Sequence, residues 1–394
     1  MKLKWLLPLL ISGILFGLFL LIPVDWFTSL SKRQNIHEEA TSLNDSVLKG
    51  IHSQEEMLRS NRYYPIFGSS ELEKQDIFHP AHILKDKNSK LKPYLIGKGG
   101  STDLIHAINV ASQAQNLEGK KVGIIISPQW FTNHGLTNDN FDARYSPLQV
   151  DRLFKNPAIS SELKDRFAQR LLEFKQLKSD NYLNSAVKKD NNTYEEGTFM
   201  NDFQNRIYEK HDALKSIFGR EQSVIPKYTP RHIGEMDWTG MKRYDSQYGA
   251  KHSSSNEFGM NDQYWSLLNQ QRKRYNRSYE FNAHSKEFDD LQLLIDALKE
   301  AKADPLFMVI PANGKWYDHI NVDKNKREVV YKKINNIITS NNMKLYDITD
   351  KEYESYVIND AVHIGWKGWV YLDEQMLNHI NDRFKQKTLN RKID

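Results

Sequence analysis

NRYYPIFGSSELEKQDIFHP, residues 61–80, holds the corner from which the fold can be read. Residues 63–67 are aromatic and branched, a short run suited to a buried strand. The run stops at Gly68-Ser69-Ser70-Glu71-Leu72, small and polar residues that turn a chain and start a helix. Outward from this corner, strand and helix patterns alternate. PYLIG (93–97) predicts a second strand, and 101–119 an amphipathic helix with a closing glycine. KVGIIIS (121–127) is a continuous apolar run of the kind that parallel sheets bury on both faces. After Pro128 the rhythm fails: 148–174 and 195–218 read as helices and 178–193 as a polar loop. Residues 225–282, rich in Tyr, Trp, Gly, Ser and Asn, show no clear period. Alternation returns with helix 285–302, strand 306–310, helix 326–340, strand 343–348 and helix 366–385. Strands separated by helices imply right-handed crossovers. The predicted class is therefore α/β: a three-layer α/β/α sandwich with a mostly parallel sheet and a helical insertion.

The chain has 394 residues, 39% hydrophobic and 27% charged, which is enough to bury a large core. One stretch departs from that balance. Residues 5–24, WLLPLLISGILFGLFLLIPV, carry no charge, and as a helix would reach roughly 30 Å, the hydrocarbon thickness of a bilayer. A secretory signal would have a shorter apolar core and a small-residue cleavage site. Here Leu21-Ile22-Pro23-Val24-Asp25-Trp26 offers neither that site nor a cysteine for a lipid, and Trp5 and Trp26 occupy interfacial positions. The expectation is an uncleaved anchor. With Lys2 and Lys4 before it and Asp25 after it, the N-terminus is expected in the cytoplasm and the rest outside. The expected divisions are a cytoplasmic 1–4, an anchor 5–24, a membrane-proximal helical segment 25–61, a catalytic unit 62–129 plus 285–390, and the insertion 130–284.

Zero cysteines exclude disulfides, a thiolate nucleophile and a cysteine metal site, and suit an exported protein of a Gram-positive envelope. A net charge of +5 is mild: outside the membrane it fits an anionic wall polymer or lipid headgroups better than nucleic acid, and equally fits ordinary solubility. No phosphate-binding P-loop is present. His79 and His82 form half a ligand set without a partner pair, so they read as structural; no metal and no cofactor is expected.

In open parallel sheets ligands sit at the carboxyl ends of the strands. Ser70 follows the first predicted strand, Gly97-Lys98-Gly99-Gly100-Ser101 the second, Gln129 the third and Asn313 the fourth. A loop containing Asp360-Ala361-Val362-His363 follows the last. Serine becomes a nucleophile when a base takes its proton and a third group orients the base. Asp360 can reach Nδ1 of His363 within a turn, leaving Nε2 for Ser70. Each feature has a plainer reading: Ser70 a helix cap, Asp360 and His363 a surface ion pair, Gly99-Gly100 a turn or anion nest. Their conjunction after successive strands favours catalysis.

The residues GSSEL (68–72), GKGGS (97–101) and NDAVHIGWKGW (359–369) resemble the SGNH (GDSL-like) hydrolase superfamily, and more narrowly the DltD family of D-alanyl-lipoteichoic acid biosynthesis. The resemblance extends over the whole chain, through ISPQWF (126–131) and VIPANGKWYDH (309–319). It implies Ser70 as nucleophile, His363 as general base, Asp360 as its orienter, and an oxyanion hole from the Ser70 N–H, Gly100 or Gly99, and a side-chain amide. The superfamily's usual Asn is absent, and Gln129 stands at the corresponding place. Also implied are transfer of D-alanine through a serine ester to glycerol hydroxyls of lipoteichoic acid, and a membrane-bound D-alanyl transfer protein as partner. A non-catalytic scaffold of the same machinery and a D-alanyl (thio)esterase are the alternatives. Trp130, Tyr145, Trp238, Tyr244, Tyr248 and Trp265, interleaved with Lys242, Arg243 and Lys251, would suit a polymer groove or, individually, the core.

Overall fold

Five strands form one sheet in the computed structural model, which describes residues 6–24, 26, 40–74, 76–188, 199–218, 231–270 and 277–386. They are β1 (Tyr63–Phe67), β2 (Lys92–Ile96), β3 (Lys121–Ile126), β4 (Asp304–Val309) and β5 (Lys344–Asp347), in the order β2-β1-β3-β4-β5. Every pairing is parallel, with Phe67 opposite Ile96, Ile124 opposite Phe307, and Phe307 opposite Leu345. The chain steps outward from β1 to β2, then returns across β1 to β3. That reversal opens a crevice at the carboxyl ends of β1 and β3.

The period of two along each strand divides the core into two layers. On one face Phe67, Ile96, Ile124 and Val309 pack with Leu104, Ile108, Leu294 and Ile334 from helices Asp103–Ser112, Glu287–Glu300 and Lys324–Ser340. On the other, Tyr64, Leu95, Ile125 and Met308 meet Ile83, Met241, Trp369 and Met376 from helices Pro80–Asp86, Trp238–His252 and Trp366–Ile380. Each large side chain buried this way contributes about 1.5–3 kcal/mol relative to exposure. The sheet is parallel throughout and covered on both faces.

The insertion is no appendage. Helices Asn138–Arg144, Pro147–Lys155 and Ser161–Leu171 send Phe141, Phe154 and Phe167 into the first-face core. The helix expected over 148–174 is broken at Asn156, whose side-chain Oδ1 takes the Ala158 N–H at 3.0 Å while its Nδ2 donates to Ala111 O at 2.9 Å. Inside the expected loop 178–193 lies a helix, Asn181–Val187, capped by Asp180 on Leu183 N–H at 2.9 Å. Burial of Leu183 and Ala186 stabilises it. The aperiodic 225–282 contains helices Arg231–Glu235, Trp238–His252 and Asp262–Gln270. Residues 40–61 form two short helices, Asp45–Leu48 and His52–Arg59, in place of one long one. Positions 27–39, 189–198, 225–230, 271–276 and 387–390, which belong to expected segments, lie outside the described residues.

Near the start, helix Leu6–Leu21 spans 16 residues, about 24 Å at 1.5 Å rise per residue. No helix among the described residues is long and apolar enough to cross a membrane. Trp5, the first residue of the expected span, is outside them. The helix is apolar and unburied, with Leu9 71% and Leu21 69% exposed. Its end meets helix Asp202–Phe218, where Lys210 Nζ donates to Ile22 O and stands 5.1 Å from the Phe19 ring.

Candidate active site

β1 delivers the first functional side chain. A 3-10 turn, Ser70–Glu73, begins three residues past Phe67, and its preceding Ser69 makes no side-chain cap. Ser69 Oγ instead donates to Lys98 O at 3.3 Å. Ser70 Oγ lies 2.7 Å from His363 Nε2, across 293 residues of sequence. The capping role open to Ser70 in the sequence is not the one it takes.

The other two residues come from one tight loop. An antiparallel bridge between Ile358 and Ile364 and the Asn359 N–H to His363 O bond at 2.8 Å close it. Within it the Asp360 carboxylate accepts the N–H groups of Val362 and His363, each at 2.9 Å. It also receives His363 Nδ1 at 2.7 Å from Oδ2 and 3.0 Å from Oδ1. A carboxylate at Nδ1 keeps the proton there and turns the Nε2 lone pair toward the Ser70 hydroxyl. Asn313, just after β4, fastens this loop from outside: its N–H donates to Ala361 O at 2.9 Å and its amide to Asp360 O at 3.2 Å. Gly365 and Gly368 serve by close approach rather than by bending. A Cβ on Gly365 would stand 2.4 Å from Tyr356 O, and one on Gly368 2.3 Å from Val357 O.

Lys74 joins the same carboxylate, its Nζ donating to Asp360 Oδ2. Burial opposes charge on Asp360, yet the His363 hydrogen bond and charge, together with Lys74, hold its carboxyl well below the usual carboxylate range. Behind Ser70, Glu71 is buried and takes the Ser69 N–H at 2.6 Å; burial pushes its carboxyl up.

β2 supplies the facing loop. Gly97, at φ +142°, lies so near β1 that a Cβ would meet Gly68 O at 1.7 Å, so only glycine lets the two turns touch. The Gly99 peptide is held at both ends: its N–H donates to Glu73 Oε2 at 2.6 Å, and its carbonyl accepts from Arg144 Nε at 2.7 Å. Of the expected oxyanion donors, Gly99 flanks Ser70, Gly100 faces Asn140, and Gln129 Nε2 donates to Ser127 Oγ at 3.1 Å. The structure brings Ser70, His363 and Asp360 into hydrogen-bond sequence, and engages the Gly99 and Gln129 N–H donors with protein partners.

Several of the remaining predicted features resolve into packing. His79 caps helix Pro80–Asp86 through Nδ1 on Ala81 N–H at 3.2 Å, lies 5.1 Å from the Trp369 ring, and is pushed down to about 3 by burial. Trp238, Tyr244 and Tyr248 are partly buried against the second-face core, Tyr145 and Trp265 against the first. Lys242 pairs with Glu374 at 2.5 Å. Arg243 and Lys251 are exposed, and Trp130 lines a small polar cavity beside Ser69. Glu73, Lys74 and Arg144 carry no signal in the sequence: ELEKQD reads as an ordinary polar helix start, and their partners are distant in the chain.

The class this geometry defines is a parallel α/β protein with a hydroxyl, an imidazole and a carboxylate in series at the carboxyl edge of its sheet. A family model described as DltD protein matches residues 40–381. The chain is 48% identical over 380 residues to Protein DltD of Staphylococcus aureus (strain NCTC 8325 / PS 47), covering 96% of this chain and 97% of that one. It is 36% identical over 385 residues to Protein DltD of Bacillus subtilis (strain 168), covering 95% and 96%. Protein DltD of Lacticaseibacillus rhamnosus is 28% identical over 386 residues, with 95% and 90% covered. The chain belongs to the DltD family.

Proposed function

We propose that this protein is a membrane-anchored, extracytoplasmic O-acyltransferase of teichoic acid D-alanylation. Membership of the DltD family supports the pathway. The observation that carries the chemistry is the 2.7 Å approach of Ser70 Oγ to His363 Nε2, with Asp360 behind the imidazole. Ser70 Oγ attacks the carbonyl carbon of an activated D-alanyl donor as its proton passes to His363 Nε2. The donor's leaving group departs with that proton, and a D-alanyl ester remains on Ser70. A glycerol hydroxyl of lipoteichoic acid then gives its proton to His363 and attacks the ester; Ser70 recovers its proton as it leaves. Developing oxyanion charge would be met by the Ser70 N–H and by the Gly99, Gly100 and Gln129 donors, with Gly99 released from Glu73. The exposed apolar helix Leu6–Leu21, with Lys2 and Lys4 before it, supports a single-pass anchor with the catalytic unit outside. That topology makes a membrane-bound D-alanyl transfer protein the fitting donor partner.

Two readouts on Ser70→Ala test the reading. Covalent labelling by a fluorophosphonate should vanish, and D-alanine esters on the polymer in cells should be lost. Esterification undiminished in the variant rejects the nucleophile; absence of labelling in the wild type favours a scaffold. Release of D-alanine to water without transfer to the polymer identifies an esterase.

A further inference from the structure

We propose that Glu73 is the subsite for the α-ammonium group of an aminoacyl substrate, and so sets the preference of Ser70 for aminoacyl over plain acyl groups. This rests on the reading of Ser70 as the acceptor of such a group. An α-aminoacyl ester holds its ammonium roughly 3–4 Å from the ester oxygen by ordinary bond lengths. A partner carboxylate therefore belongs within about 6–7 Å of Ser70 Oγ, at most one hydrogen bond further out. Glu73 meets that requirement. A Cβ placed on Gly99 would stand 3.2 Å from Glu73 Oε2 and 3.5 Å from Ser70 Cβ, so Glu73 Oε2 and Ser70 Cβ flank one point and are no more than about 7 Å apart. That point is left unfilled because residue 99 is glycine.

The other carboxylates near Ser70 are buried away from a substrate. Asp360 is shared by His363 and Lys74. Glu71 is buried, takes the Ser69 N–H, and is pushed toward its neutral form. Asp103 and Glu287, in the small cavity behind Ser69, are buried, and desolvation pushes their carboxyls up. Glu73 is half-buried, and among the described residues it accepts only the Gly99 N–H, through Oε2. Its second oxygen is left for a donor from solvent or substrate. A cationic headgroup there also fits the clamp on Gly99: as Glu73 turns to the ammonium, the Gly99 N–H comes free for the carbonyl oxygen, while Arg144 keeps the peptide in place.

The test compares alanyl and propionyl 4-nitrophenyl esters, which differ in the ammonium alone, on the full-length protein. In wild type, kcat/KM should favour the alanyl ester. In Glu73→Gln the alanyl-to-propionyl ratio should fall ten- to hundredfold, the scale of a charged hydrogen bond, whatever happens to the absolute rates. Glu73→Asp, which keeps the charge on a shorter arm, should give an intermediate ratio and serves if the glutamine variant does not fold. An unchanged ratio, or equal losses on both esters, overturns the subsite. Fluorophosphonate labelling of Ser70 separates the two ideas: labelled protein with an unchanged ratio defeats the subsite alone, and unlabelled wild type defeats the catalytic reading with it.

Discussion

Lys74 and His363 share one buried carboxylate. Asp360 is fully buried and receives Lys74, His363 and two backbone N–H groups. Lys74 Nζ also stands 4.6 Å from the Tyr264 ring, which limits its swing. The His363 hydrogen bond and charge, and after them Lys74, hold the Asp360 carboxyl low. Replacing Lys74 by Met removes the second influence and leaves the first. A buried carboxylate then lacks one charged donor, and Lys74→Met should lose about 1–2 kcal/mol of stability. Chemical denaturation of Lys74→Met beside wild type at neutral pH checks this. An unchanged midpoint would mean that Lys74 contributes nothing to holding the loop.

Between elements, a buried ion pair joins the insertion to the layer under the site. Arg170, on helix Ser161–Leu171, grips Asp290, on helix Glu287–Glu300, through Nε at 2.8 Å and Nη2 at 2.9 Å. Both are buried, Asp290 completely. The same second helix presents Glu287, whose carboxylate takes the Asp103 N–H at 2.8 Å where the helix behind the Gly99 loop begins. Removing the cation alone would strand Asp290 beside Asp103 and Glu287, carboxyls already raised by burial. Arg170→Ala should therefore lose about 3–5 kcal/mol in chemical denaturation, the usual cost of breaking one half of a buried pair. The double change Arg170→Met with Asp290→Leu should recover most of it, because no charge is left behind. If the double variant is no better than the single one, packing rather than charge governs the site.

At the scale of the whole molecule, two surfaces contrast. Residues from 40 onward cover an apolar core on both sheet faces, while most positions of helix Leu6–Leu21 expose an apolar side chain. Water does not stabilise such a surface, and lipid does. Deleting residues 1–24 should shift the protein from the membrane fraction to the soluble fraction of cells, and purified full-length chain should float with liposomes while the truncated chain does not. Ser70 labelling should persist in the truncated protein, since the triad residues lie in the sheet-bearing part. Co-flotation of the truncated chain would mean that another surface holds the membrane.

The strands were legible because a sheet buried on both faces writes continuous apolar runs into the chain, and each predicted run overlaps its observed strand. Asp360 and His363 were legible too, since an aspartate three residues before a histidine closes a local turn with its own backbone bonds. Helix Asn181–Val187 and the helices between 231 and 270 were not, because their order comes from burial against distant layers rather than from their own periodicity. Sequence by itself determined an alternating α/β chain with an apolar N-terminal segment and a serine, an aspartate and a histidine after its strands. Only tertiary structure decided that Ser70 faces His363, that Lys74 leans on Asp360, and that Glu73 holds the Gly99 N–H. Those contacts arise where parallel crossovers bring the ends of separate strands to one edge, and no local pattern encodes which side chains meet there.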